Sequence, residues 1–238
     1  MGNLRTGWVL IAVRNLGRRI GVNRLLAASG NRAGYERGFQ DALLVGLNPG
    51  DVVWDIGANV GFYSRLFAGL IGETGRCYAF EPSPLNRARF QELGIPDNVL
   101  LFPYALGDKH GVAQLVQGGD PLGATSFLLG RGIACAEEPI PVECMTGDLL
   151  VEGGRTPVPK CIKIDVEGYE WEVLQGCQKM LGHEGLFRIG CEIHFGILAK
   201  RGHPQRPCEI ESLLKKNGFR CRWIDHSHLV AERVRCAS

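Results

Sequence analysis

The chain has 238 residues, 45% of them hydrophobic and 22% charged, with a formal net charge of +2. That length suits one large α/β domain with a buried core, and the near-balanced charge gives no reason to expect a nucleic-acid partner. No apolar run approaches the roughly 18 residues of a membrane span, so no transmembrane segment is expected.

The first predicted element is an amphipathic helix, with Leu10, Val13, Leu16 and Ile20 near helical spacing and Arg14, Arg18 and Arg19 between them. The apolar run Trp8 to Val13 is too short for the core of a signal peptide. Residues 1–47 therefore read as a helical segment packing on the core, with a membrane-surface helix and a transit peptide as the competing readings. Tyr35 to Leu47 has helical periodicity until Asn48-Pro49-Gly50 stops it. From residue 48 to 238 one domain follows. "DVVWDIG" reads as a buried strand, "VGFYSRLFAGLIG" as a helix, "GRCYAFEPSP" as a second strand, "LNRARFQELGI" as a helix and "NVLLFPYALGD" as a third strand.

Between Lys109 and Pro141 the rhythm breaks into short β-like pieces, read as a small insert before the fourth strand. "GGDPLGATSF" within it suggests a mobile loop over a pocket. "KCIKIDVEG", "YEWEVLQGCQKML", "LFRIGCEIHF" and "PCEIESLLKKNGF" resume the alternation, and "RCRWIDHSHLVAERV" closes as a strand pair. Such alternation marks a doubly wound, mostly parallel sheet with helices on both faces. Nine cysteines run from Cys77 to Cys236 without a C-x-x-C pair, which points to reduced thiols in a cytoplasmic protein, not to a disulfide framework or a zinc site. Cys161 and Cys191 read as core strand positions.

"VVWDIGANVGFY" carries more glycine than a strand-to-helix turn requires. The dinucleotide frame G-x-G-x-x-G would place Gly57, Asn59 and Phe62 at its glycine positions and fails at two of them. The pattern present is D-x-G-x-N-x-G, Asp55 to Gly61, and a second acid, Glu81, ends the next strand twenty residues later. A ligand with an ammonium, a carboxylate and an adenosine, but no pyrophosphate, suits this edge better, and S-adenosylmethionine is such a molecule. Asp55 would orient the ammonium directly or through the loop, the glycines would let the ligand approach the backbone, and Glu81 would accept the ribose hydroxyls. Taken singly, Asp55 also suits a helix N-cap and Glu81 a surface acid before a turn.

"VVWDIGANVGFYSRLFA", "YAFEPSPLN", "NVLLFPYALGD" and "IKIDVEGYEWEVLQG" closely resemble the FkbM family of S-adenosylmethionine-dependent methyltransferases. "CEIHF" matches the family's fifth strand, and "MTGD" matches more weakly because Gly147 stands where the family has leucine. The resemblance runs from about Asn48 to Phe195. It implies a class I methyltransferase fold, Rossmann-like, whose seven-stranded sheet has an antiparallel last strand, and so a methyltransferase domain at residues 48–238. It further implies methyl transfer to a hydroxyl of a sugar or secondary metabolite. By position Asp55, Gly57, Asn59, Gly61 and Glu81 carry over as cofactor residues, with Ser83 and Ala105, at the end of the third strand, as adenosine neighbours.

An alcohol does not ionise at neutral pH, so a base or a metal must assist the attacking oxygen. The ends of strands four and five offer Asp165, Glu167, Glu192 and His194. His194 stands two residues past Glu192, on the same strand face, and neutral imidazole makes it the candidate general base. Asp165 and Glu192 are the other catalytic candidates. They also make a thin ligand set, with His194, for a divalent cation such as magnesium. Each has a plainer reading: a strand-capping histidine, an acid pairing Lys163, and for Glu167 the first turn of a helix. His226 and His228 read as surface or sheet-edge residues. Arg201 and Arg206 read as a solvated pair, with an anionic acceptor as the alternative. The competing functions are a non-catalytic S-adenosylmethionine-binding module and a nucleotide-dependent oxidoreductase. The expected partner is a small or sugar-containing acceptor, and a homo-oligomer stays open.

Overall fold

The computed structural model describes residues 32–117, 127–128 and 138–234. The helix expected over Leu10 to Ile20 lies outside the described residues, as do residues 118–126 of the glycine-rich loop. The chain begins with α1 (Arg32–Leu44), β1 (Val52–Ile56), α2 (Phe62–Ile71), β2 (Arg76–Phe80), α3 (Pro84–Glu92) and β3 (Val99–Phe102). Short strands β4 (Ala105–Leu106), β5 (Gly111–Val116), β6 (Phe127–Leu128) and β7 (Ile140–Met145) form the insert. Next come α4 (Gly147–Glu152), β8 (Cys161–Ile164), α5 (Glu170–Gln175), α6 (Gln178–Leu181) and β9 (Arg188–Glu192). The chain closes with α7 (Phe195–Lys200), α8 (Arg206–Lys216), β10 (Phe219–Trp223) and β11 (His228–Arg233). No helix among the described residues is long and apolar enough to cross a membrane.

Seven strands make one sheet in the order β10-β11-β9-β8-β1-β2-β3. In this sheet β1, β2, β3, β8, β9 and β10 run in one direction, and β11, last in the described chain, is antiparallel to both its neighbours. This is the sheet the resemblance implied. Strands covered on both faces have no polar face, which is why β8 reads Cys-Ile-Lys-Ile with all four residues buried. Alternation along β1 sends Trp54 and Ile56 to one core, with Phe80, Ile162, Ile164 and Leu174. Val53 faces the other core, with Phe67, Ile71, Cys77, Phe90 and Cys161. Along α2 the buried residues Ser64, Phe67, Ala68 and Ile71 fall on one stripe. Burying a side chain such as Phe67 is worth about 2 kcal/mol.

The third strand is shorter than the sequence suggested. Pro103 has no N–H to continue the ladder, so β3 stops at Phe102. Ala105 then pairs with Cys144 in a separate four-stranded sheet, ordered β4-β7-β5-β6. Cys161 and Cys191 do fill core positions, and burial pushes the Cys161 thiol up to about 12.

Candidate functional site

The turn from β1 to α2 is held by its own chain. Gly57 and Ala58 donate their N–H groups to the Phe80 carbonyl at 3.0 and 3.1 Å, tying the turn to β2. Gly57, Asn59 and Gly61 all have positive φ, at 76°, 51° and 82°, a region open to glycine and tolerated by asparagine. A Cβ on Gly57 would lie 1.9 Å from the Asp165 carbonyl oxygen, and one on Gly61 would lie 2.2 Å from the Phe90 ring. The glycines therefore allow close approach within the protein itself, a use the sequence did not suggest. Gly57 brings the turn against the end of β8.

Asp55 is fully buried. Ser64 Oγ donates to its Oδ2 at 2.6 Å, and Lys163 Nζ lies 3.2 Å from its Oδ1. The sheet register sets Asp55 beside Lys163, and Lys163 also donates to the Gly57 carbonyl at 2.8 Å. Burial opposes the charge on Lys163, but Asp55 and Asp165 outweigh it and raise its pKa. Through Lys163, Asp55 is tied to the glycine turn. Glu81 spans the next gap: Oε2 accepts the Asn59 N–H at 2.8 Å and Oε1 the Ser83 N–H at 2.9 Å. Burial raises its pKa, while these bonds oppose the rise. Ser83 caps α3, its Oγ accepting from Asn86 N–H and Gln117 Nε2, ahead of Pro84 at the first helical position. Asn59 Oδ1, at the tip of the turn, is buried without a hydrogen-bond partner among the described residues.

Across the Gly57–Asp165 contact lies a ring of acids around one imidazole. His194 does not lie on a strand: β9 ends at Glu192 and His194 occupies the N-cap position of α7. Its Nδ1 is 2.6 Å from Oε1 of Glu170, a fully buried residue of α5, and the same oxygen accepts the Gly168 N–H at 2.8 Å. Its Nε2 faces Glu167 Oε2 at 3.2 Å, Asp165 Oδ1 at 3.7 Å and Glu192 Oε1 at 4.0 Å. Glu167 itself has a positive φ of 50°, which costs a non-glycine residue about 1–2 kcal/mol. Gly168 follows at 88°, where a Cβ would meet Ile197 at 2.6 Å.

These environments drive the titrations apart. Burial works against the His194 cation, but the hydrogen bond and charge of Glu170, then Glu167 and Asp165, push its pKa up to about 10. The acids around the ring favour its protonated form, where the sequence suggested a neutral imidazole. Burial, with like charges on Asp165 and Glu192, lifts Glu167 to about 7 against the pull of His194. Asp165 is raised by burial and the Glu192 charge, against Lys163. Glu192 goes the other way: burial is outweighed by the hydrogen bond from His228 and by the His194 charge, holding it at about 2.

Sequence reasoning passed over Glu170, although it lies in the quoted "IKIDVEGYE". An acid on a helix that follows two other acids carries no signal of the histidine it will meet 24 residues on. Glu167, offered by the sequence both as an acid at this edge and as a helix turn, joins the ring. For a cation, Asp165, Glu167 and His194 each place one donor atom within 4.8 Å of the others, so Glu167 takes the place expected of Glu192. His228 is buried inside the sheet, not at its surface or edge. Arg201 is no solvated cation: its guanidinium donates to the carbonyls of Gly168 and Leu128, fastening β6 beside the ring. Arg206 bonds Glu209 at 2.5 Å and covers the Trp171 ring.

A family model for the Methyltransferase FkbM domain matches residues 55–221. The hexuronic acid methyltransferase AglP of Haloferax volcanii is 32% identical over 166 residues, 68% of this chain and 64% of that protein. Among solved structures, the methyltransferase FkbM of Methylobacillus flagellatus KT superposes with a TM-score of 0.50 at 13% identity, covering 76% of this chain and 43% of that one. That likeness shows the fold, a class I methyltransferase sheet. Glycine turn, strand-end acid and histidine ring all fall within the matched stretch, and the chain belongs to the FkbM methyltransferase family.

Proposed function

We propose that the chain is an S-adenosylmethionine-dependent methyltransferase acting on a hydroxyl of a sugar-containing acceptor. The observation that carries this is the abutment of Gly57 on Asp165, which joins the glycine turn and Glu81 to the His194 ring in one edge of the sheet. The orphaned Asn59 Oδ1 and the paired acceptor oxygens of Glu81 suit a cofactor rich in donors. Bound S-adenosylmethionine supplies a methyl electrophile, whose carbon–sulfur bond breaks with its electron pair retained by sulfur. In this reading Asp55 and Lys163 hold the turn in shape. Glu81 takes the ribose hydroxyls, with Ser83 beside it, and Ala105 stands as an adenosine neighbour.

His194 and Glu167 then work as a pair, with Nε2 and Oε2 3.2 Å apart. The pair would take the hydroxyl proton as the new carbon–oxygen bond forms. Glu170 keeps Nδ1 protonated and Nε2 turned to the acceptor, while Asp165 and Glu192 accept neighbouring hydroxyls, an arrangement suited to a polyol. The sugar class is supported by the name of the Haloferax volcanii relative.

A divalent cation is a second reading, favoured by the three close donors of Asp165, Glu167 and His194. Calorimetric titration of metal-stripped protein with S-adenosylhomocysteine and with NADH is the first test. Binding of the thioether alone is expected; binding of NADH alone would restore the oxidoreductase reading. Methyl transfer is then measured to methyl glucoside, methyl glucuronide and catechol, before and after addition of magnesium. Transfer to a glycoside supports the proposal, and dependence on magnesium supports the cation. Thioether binding with no transfer to any of the three favours the binding module.

A further inference from the structure

Sheet register pairs His228, first in β11, with Glu192, last in β9. Facing side chains on antiparallel neighbours touch, and His228 Nε2 lies 3.5 Å from Glu192 Oε2. The other ring nitrogen, Nδ1, is 2.8 Å from Asp225 Oδ2. Asp225 is fixed in turn, because its Oδ1 accepts the N–H groups of Ser227 and His228 at 2.8 Å each. Phe39 of α1 stacks on the imidazole, with centroids 4.2 Å apart and planes at 21°. Helix α1 reaches that depth because β9 has glycine at 190, where a Cβ would stand 2.6 Å from Leu43 and 3.0 Å from the Phe39 ring. Both nitrogens and one face of His228 are therefore engaged. Phe39, Asp225 and His228 all lie outside residues 55–221, the stretch shared with the family.

We propose that Phe39, Asp225 and His228 form a positioning arm that holds the Glu192 carboxylate beside His194 at the acceptor edge of the site. With Oε2 of Glu192 engaged by His228, its Oε1 is left facing His194 Nε2 at 4.0 Å. A carboxylate tethered at one oxygen cannot rotate away, so the other keeps a fixed place for a hydroxyl hydrogen or the imidazolium charge. His228 touches no reacting atom and acts only through Glu192. The segment before β1 becomes part of the site's support, which its position outside the stretch matched by the family would not suggest. Only the catalytic consequence of the arm rests on the methyl-transfer reading.

The test follows the His194 ring in the nitrogen-15-labelled full chain bound to S-adenosylhomocysteine, with its signals assigned through His194→Gln. His228→Phe keeps a ring against Phe39 but removes both hydrogen bonds, and the His194 signals are expected to shift. Phe39→Ala is expected to shift them in the same sense and serves as the second variant if His228→Phe does not fold. His228→Gln, which retains an N–H donor, is expected to bring them back toward wild type, and the exposed His183→Gln to leave them in place. For the glycoside that the wild type methylates, kcat in His228→Phe is expected to fall about tenfold with cofactor affinity held within about twofold. His194 signals unmoved in a folded variant overturn the proposal. So does a loss of cofactor affinity that parallels the loss of kcat, since that marks a merely structural role. If the wild type methylates nothing, the methyl-transfer reading fails while the ring signals still decide the arm.

Discussion

Glu170 Oε1 stands 2.6 Å from His194 Nδ1. Glu170 is fully buried on α5 and its oxygen is also fixed by the Gly168 N–H. Replacing it with glutamine keeps the shape but removes the charge that first sets the ring's tautomer and raises its proton affinity. Glu170→Gln is expected to lower kcat by about a hundredfold, as loss of a group that orients a catalytic imidazole does, with S-adenosylhomocysteine affinity unchanged. Steady-state kinetics beside calorimetry will separate the two.

Stability should fall as pH rises above about 5. Burial raises Glu81, Asp165 and Glu172, and lifts Glu167 from 4.5 to about 7. A raised folded-state pKa lets the folded chain bind more protons than the unfolded chain above the ordinary carboxylate range, so each group contributes a negative slope of stability with pH, for Glu167 between about 4.5 and about 7. His194 and His228, raised from 6.5 to about 10 and about 9, add stability that is complete below about 6.5 and lost as pH passes those values. Glu192, held at about 2, and Asp225, lowered, act in the opposite sense and only in acid. Urea midpoints at pH of about 5, 7 and 9 are expected to decrease in that order, and Glu167→Gln to flatten the first step.

Lys163→Met should destabilise the chain by about 3–5 kcal/mol. It would leave Asp55 buried with its charge uncompensated and would also remove the bond to the Gly57 carbonyl. Urea unfolding of the single variant, set against a Lys163→Met, Asp55→Asn double variant, will show recovery of part of the loss if the pair is the cause.

The two glycines of the turn should respond differently to alanine. At Gly61 the obstacle is the Phe90 side chain, so Gly61→Ala is expected to be rescued in part by Phe90→Leu. At Gly57 the obstacle is the Asp165 carbonyl, and no side-chain change relieves it. Overpacking and positive φ together predict a loss of about 3 kcal/mol for Gly57→Ala. Thermal melts of the two alanine variants and the Gly61→Ala, Phe90→Leu pair check this.

Apolar runs bounded by glycine and proline were enough to place the alternating strands and helices, because burial on both faces of a parallel sheet leaves its mark residue by residue. Asp55, Glu81, Asp165 and His194 were legible for a related reason: each stands within a few residues of a strand end, and in such sheets strand ends converge on one edge. The break between β3 and β4 was written at Pro103 but is decided by pairing, since Ala105 meets Cys144 across the insert.

What the sequence could not carry is the set of partners each group meets. Glu170 and His194 are 24 residues apart, Phe39 and His228 lie at opposite ends of the described chain, and Lys163 joins Asp55 across 108 residues. Composition and spacing determined which side chains stood near the edge of the sheet. Burial and register, which exist only once the strands are paired, decided that His194 sits among four acids, that Glu192 lies between two histidines, and that a Cβ at Gly57 or Gly61 would meet the protein's own backbone or ring.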